Sequence, residues 1–276
     1  MLSRIWTLAA QEIRIGIRNR WILLATLILA VFSLALALLG SAPAGTLGVD
    51  RLTITVASLA SLSVYLVPLI ALLLAFDAIC GEIERGTLLM TLSCPISRTE
   101  FLAGKALGHT LVLTFALVIG YGLTAALLVT LGAGSVAGLP DFVRLIATSV
   151  LLGVSFLAIG YVLSALTRQP GTAAAAAIAV WLIMVVLYDL ALLGALVANP
   201  GGTFASDLFP YAVLLNPADA FRLFNLAALG ASELVGGMAG VSDSLPFDPA
   251  FALVSLTVFA ALALSLSALL IRRITP

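Results

Sequence analysis

Residues 82–105 read EIERGTLLMTLSCPISRTEFLAGK and gather Glu82, Glu84, Arg85, Arg98, Glu100 and Lys105 in a chain that is only 9% charged. Ser97-Arg98-Thr99-Glu100 is a capping box: the serine hydroxyl accepts from the Glu100 amide while the Glu100 carboxylate reaches back to the Ser97 amide. An apolar run follows, so the spacing predicts a helix that starts near Arg98, passes through Lys105 and ends near Gly132. That is about 34 residues and about 50 Å of helix, against a hydrocarbon core of about 30 Å. The surplus must project from the bilayer. Upstream, Pro95 disfavours helix at Cys94, which leaves Glu84 to Ser93 as a separate short segment. As a helix it carries Leu88, Leu89 and Leu92 on one face, Thr87 and Thr91 beside them, and Glu84 and Arg85 at its start. Such a face needs a partner: the lipid headgroups, the chain's own helix ends, or a second protein.

The rest of the chain is apolar. Of 276 residues 62% are hydrophobic, and the mean hydropathy is +1.22. Soluble domains carry about 25% charged residues, so composition alone predicts an all-α integral membrane protein. A spanning helix needs about 20 mostly apolar residues, and such runs lie at 21–40, 53–77, 106–131, 145–166, 172–198 and 250–271. Residues 216–240 are apolar in patches but carry Asp219, Arg222, Asn225 and Glu233, so six spans are expected.

Lys and Arg set the orientation. With the amino terminus inside, Arg4, Arg14, Arg18, Arg20, Arg85, Arg98, Lys105, Arg168, Arg272 and Arg273 are inner, while Arg51, Arg144 and Arg222 are outer. A seventh span would put Arg272 and Arg273 outside, which again favours six. Cys80 and Cys94 both fall on the inner side, where thiols stay reduced. Residues 1–20 hold four arginines and no signal-peptide core. They read either as an amphipathic helix on the inner surface or as a frayed basic end that sets topology. Between the fourth and fifth spans, Thr167-Arg168-Gln169-Pro170-Gly171 makes a tight inner turn. Ala173 to Ala177 after it, and the Gly104/Gly108 pair, mark close helix packing.

The outer segment 199–249 is too long to be structureless. Asn216-Pro217-Ala218-Asp219 starts a helix with a cap, proline at the first position and an acid in the first turn. That helix is expected to run to Leu234, on the outer surface and partly dipping into the interface. Asp207, Asp219, Arg222 and Glu233 are its candidates for docking a partner outside; the alternative is a lid packed on its own spans.

Several chemistries find no support. Gly104-Lys105 lacks the glycine and hydroxyl of a phosphate-binding loop, and one histidine cannot build a multi-histidine metal site. No metal or cofactor bound by this chain is expected, and no nucleic-acid partner. Asp77, His109 and Asp189 are placed near membrane surfaces, where a structural role is expected of each. An ion-coupled carrier wants carboxylates or broken spans at the midplane, and a copper path wants stacked Met, Cys or His; neither is visible.

The pattern Glu-x-x-x-Gly-Thr-Leu (Glu82 to Leu88), then Leu-Ser-x-Pro-Ile-Ser-Arg (Leu92 to Arg98), then Gly104-Lys105, resembles the ABC-2 class of ABC transporter permeases. The six spans, the amino-terminal surface helix and the external segment also match. The resemblance implies a homodimer in the inner membrane, with both termini cytoplasmic, bound to two separate ABC ATPase subunits that hold ATP and Mg²⁺. It makes 82–105 the coupling region, with Glu82, Glu84, Arg85, Thr87, Leu88, Leu89, Leu92, Arg98 and Lys105 as candidate contacts. Arg168 and Gln169 become a second, minor one, and a periplasmic accessory protein becomes the outer partner. The rival readings are a carrier or channel that needs no ATPase, and a scaffold that anchors partners and moves nothing.

Overall fold

The computed structural model describes residues 2–39, 51–132, 136–198, 202–229 and 246–274, and every long regular element among them is helical. Helix α1 (Leu2–Arg18) and α2 (Arg20–Leu39) meet at Asn19 with a bend of 66°. Then come α3 (Arg51–Ala75), the short α4 (Cys80–Glu84) and α5 (Thr87–Ser93), and the long α6 (Arg98–Thr130). Helices α7 (Leu139–Leu166), α8 (Pro170–Ala198), α9 (Phe209–Leu214), α10 (Pro217–Ala227) and α11 (Ala250–Arg273) complete the chain. Five of these regions are long and apolar enough to cross a membrane: the α3–α4 stretch, α6, α7, α8 and α11. The bent pair α1–α2 makes a sixth.

Helix α7 is the hub, packed against α3, α6, α10 and α11. Its small residues explain why. A Cβ on Gly160 would stand 2.5 Å from that of Ala75, and one on Gly153 would stand 2.1 Å from Leu113. Helices that cannot gain from a hydrophobic effect in lipid associate where small residues let them approach. Side-chain hydrogen bonds then fix register: Ser33 Oγ to Thr124 Oγ1 at 2.7 Å, Ser63 Oγ to Tyr121 OH at 2.7 Å, and Ser155 Oγ to the Leu256 carbonyl at 3.3 Å. Each contributes about 0.6 kcal/mol, so their value is geometric. Pro68 interrupts the hydrogen-bond ladder of α3, and nearby Trp181 Nε1 donates to the Tyr65 carbonyl at 3.0 Å.

The Gly104/Gly108 pair receives α1 rather than another span. A Cβ on Gly104 would lie 2.5 Å from Leu8 Cβ, and one on Gly108 would lie 2.5 Å from Glu12 Cβ and 3.0 Å from the Ala9 carbonyl oxygen. Gly16 answers from α1 by admitting Val112. Because backbone is among the obstacles, Gly108→Leu must push α1 away. It is expected to cost at least about 1–3 kcal/mol, measured as a lower thermal midpoint in detergent. Gly122→Leu, with nothing within 4 Å of the new Cβ, is the control expected to leave it unchanged.

At the opposite end the chain turns back among the spans. Asn216 caps α10 by accepting from the Ala218 amide at 3.0 Å. Its side-chain amide also donates to the Met184 carbonyl, in a stretch of α8 (Leu182–Leu187) with π-helical turns. Met184 lies 14 residues before Ala198, about 20 Å along α8. Tyr188 OH donates to the Ala212 carbonyl at 2.7 Å, and Ser255 Oγ donates to that of Leu214. Asn225, fully buried, exchanges hydrogen bonds with Thr148 on α7. Thus α10 is wedged between α3, α7 and α11, which corrects the expectation of a surface helix. The sequence also placed its end too late: α10 stops at Ala227, and the rest of the expected run to Leu234, from residue 230, lies outside the described residues.

Candidate functional site

The segment between α3 and α6 is built from the backbone outward. Gly86 takes φ +71°, a left-handed conformation natural to glycine, so α4 ends at Glu84 and α5 starts only at Thr87, in place of the one helix expected from Glu84 to Ser93. The N-cap of α4, Ile79, has no polar side chain; Ser164 of α7 supplies one, its Oγ accepting from the Ile79 and Cys80 amides at 2.9 and 3.0 Å. With α5 starting at Thr87, Leu88 is 3% exposed and joins the core with Leu92, Ile83 and Ile96 around it. Leu89 and Met90 are 57% and 72% exposed. The expected three-leucine face is therefore corrected: Leu88 and Leu92 hold α5 to its own chain, and Leu89 with Met90 forms the outward surface. A seven-residue helix resting on one side buries a narrow arc, and Leu89 falls outside it.

The capping box forms as predicted, with Ser97 N to Glu100 Oε2 at 2.8 Å and Glu100 N to Ser97 Oγ at 3.1 Å. Around it the start of α6 is tied to three other elements. Arg4 of α1 donates to the Pro95 carbonyl, and Arg98 donates to the Arg272 carbonyl at 2.8 Å, capping α11. About two turns further along α6, Lys105 is 5% exposed. Its Nζ meets Glu12 Oε1 of α1 at 2.6 Å and Glu82 Oε1 of α4 at 3.1 Å. Glu12 also contacts His109 Nε2 at 3.3 Å, and His109 Nδ1 pairs with Tyr161 OH of α7 at 2.9 Å. Burial pushes the Glu12 carboxyl up, but the His109 hydrogen bond and the Lys105 charge outweigh it and hold it at about 2. Glu82 accepts from Thr87 Oγ1 as well. The result is a continuous buried polar joint through α1, α4, α6 and α7.

Of the candidate contacts at this end, Glu82, Leu88, Leu92 and Lys105 turn inward, with Thr87 bound to Glu82. Glu84 and Arg85 are exposed, Arg85 standing 3.9 Å from Asp77. Arg168 and Gln169 are exposed in the α7–α8 turn, beside α4. At the far end Asp207 is exposed, whereas Asp219 is 2% exposed. Arg222 bridges Asp189 Oδ2 at 2.9 Å and Asp219 Oδ1 at 3.9 Å, so two of the expected docking residues instead tie α10 to α8. Glu233 lies outside the described residues. A cleft of about 210 Å³ lined by Asp189, Leu190, Leu193, Leu196 and Phe209 adjoins this bridge.

The sequence profile described as "ABC-2 family transporter protein" matches residues 6–273. The chain belongs to the ABC-2 transporter family. It is a multi-pass membrane protein of permease type. Two relatives carry the name "Probable ABC transporter permease protein NosY". That of Stutzerimonas stutzeri is 40% identical over 274 residues, covering 99% of both chains. That of Pseudomonas aeruginosa is 42% identical over 271 residues, covering 98% of both. The geometry of the segment between α3 and α6 sorts its residues. Glu84, Arg85, Leu89 and Met90 are accessible, and Glu82 and Lys105 are internal.

Glu12 and Tyr161 were not singled out from the sequence. Glu12 had a signal: it is the only acid in the first 49 residues, set among four arginines. Tyr161 carried none.

Proposed function

We propose that the chain is the transmembrane subunit of a NosDFY-type ABC transporter in the bacterial inner membrane, with two copies bound to two NosF-like ATPase subunits. The observation that carries this reading is α5, whose inner leucines are fused to the capped start of α6 while Leu89 and Met90 stay uncovered. The basic α1–α5 end faces the cytoplasm, in keeping with the Lys and Arg bias. Closure of the ATPases pushes α5, α6 is long enough to carry the displacement across the bilayer, and α7, packed on both α6 and α10, passes it to α10. A NosD-like accessory protein then receives it outside.

In this reading the output serves assembly of the copper–sulfide site of nitrous oxide reductase, as export of a sulfur species or as a mechanical signal. Copper-ion export is disfavoured: both cysteines lie at or near the α5 end, and the four methionines are scattered. Reconstitution of the purified chain with and without the ATPase tests the assignment. Stable two-to-two association and ATP-dependent output only in the presence of both are expected. Output by the chain alone on an ion gradient would make it a secondary carrier instead.

A further inference from the structure

The arginines divide by partner. At the α9–α10 end Arg144 pairs with Asp141 at 2.8 Å and Arg222 with Asp189 at 2.9 Å. At the α1 end Arg14, Arg18 and Arg20 are exposed and make no ion pair among the described residues. The acid of α1, Glu12, is turned inward onto Lys105 and His109. Three uncompensated guanidinium groups therefore sit within seven residues, around the α1–α2 bend.

Helix α1 has three faces. Leu8, Ala9, Glu12 and Gly16 are occupied by α6. A second face carries Leu2, Trp6 and Ile17, which are 84%, 58% and 51% exposed. Arg14 and Arg18, at i and i+4, lie on the third. An exposed stripe with tryptophan at its centre belongs in the hydrocarbon border. Of the bent α1–α2 pair the uncharged apolar part begins directly after Arg20, which sets this residue and its neighbours at phosphate depth. Guanidinium groups bind phosphate oxygens bidentately.

We propose that Arg14, Arg18 and Arg20 form a binding site for anionic phospholipid headgroups of the phosphatidylglycerol type, at the corner between α1 and α2. The inner-leaflet location rests on the orientation proposed above; the lipid preference itself does not require the ATPase. Because α1 is bolted to α6 through Gly104 and Gly108, lipid held here also anchors the base of the long helix.

The test uses the full chain in phosphatidylcholine nanodiscs containing spin-labelled phosphatidylglycerol or phosphatidylcholine. The motionally restricted fraction gives their relative association constants. Each basic residue near an anionic surface is worth about a fivefold preference, so the wild-type chain should favour phosphatidylglycerol at least about fivefold at low salt. That preference should fall towards one at high salt and in R14Q/R18Q/R20Q, and should persist in R14K/R18K/R20K. No preference in the wild-type chain, or full preference in the glutamine variant, overturns the proposal. ATPase association is measured separately on the same variants. If the glutamine variant keeps its lipid preference but loses the ATPase, the arginines belong to a protein interface and the lipid site is overturned. Failure of the wild-type chain itself to bind the ATPase, with its lipid preference intact, would instead count against the proposed function.

Discussion

Leu89→Asp combined with Met90→Asp is expected to weaken association with the proposed ABC ATPase partner by at least about a hundredfold while leaving the thermal midpoint within about 2 °C of wild type. Both side chains are more than half exposed, so a carboxylate there meets water and adds little to the unfolding free energy. In a complex the same carboxylates must enter an apolar contact. Central apolar anchors of an interface commonly cost more than about 2 kcal/mol each when lost, and burying an unpaired charge adds to that. Leu88→Asp is the instructive contrast. Leu88 is 3% exposed and packed into the core, so its loss should lower the midpoint and disturb the loop whether or not a partner binds there. Titration of the detergent-solubilised variants with the ATPase separates the two effects. Unchanged affinity in the Leu89/Met90 variant would remove α5 as the docking element.

The separation of Leu88 from Leu89 shows where sequence reasoning reached its limit. The capping box was legible because it is local: Ser97 and Glu100 are three residues apart, and their bonds need no other element. Helix α6 followed from it, and the family resemblance drew on the same residues. The break at Gly86 was less legible, because Gly-Thr-Leu reads equally well as a helix interior and as a left-handed turn. A shift in the start of α5 decided which leucine faces out. Gly104 and Gly108 announced a close approach without naming the visitor. The partner, α1, is about 90 residues earlier, and its matching Gly16 is unremarkable in isolation.

Charges were the least legible feature. Lys105, Glu82, Asp219 and Arg222 stood out as the polar exceptions of an apolar chain, and were read as partner contacts. In a bilayer such groups are usually satisfied within the protein, and here Lys105 finds Glu12 and Glu82 while Arg222 finds Asp189. The positive bias of one end was readable from Lys and Arg counts. Which arginines remained unpaired required the fold, since Glu12 turns inward to Lys105 and His109 and Arg4 meets Glu100 of α6. A charge thus points to the partner surface only when the fold leaves it uncovered.

Lys105→Met carries the second large expected effect, on stability rather than docking. Methionine fills much of the lysine volume but leaves Glu12 and Glu82 facing each other across a site that is 5% exposed at residue 105. Removing one partner of a buried pair costs about 3–5 kcal/mol. Glu12 keeps His109 and Glu82 keeps Thr87, so the lower end applies, about 3 kcal/mol, or about 5 °C in thermal midpoint for a chain of 276 residues. The pH dependence identifies the cause. Glu12 sits at about 2 in the fold against an ordinary value of 4.5, so its pairing contributes fully above about 4.5 and is lost as the pH falls through about 2. Without Lys105 that carboxyl moves up, and protonating it relieves the unpaired charge. The gap between variant and wild type should therefore be widest near neutral pH and narrow below about pH 4.5. Adding Glu12→Gln and Glu82→Gln to Lys105→Met should recover part of the loss at neutral pH, because replacing all members of a buried charge cluster costs less than removing one. A deficit that is flat with pH and unrelieved by the glutamines would mean that the loss comes from the contact of Lys105 Nζ with the Phe101 ring, 5.2 Å from its centroid, and not from the two carboxylates.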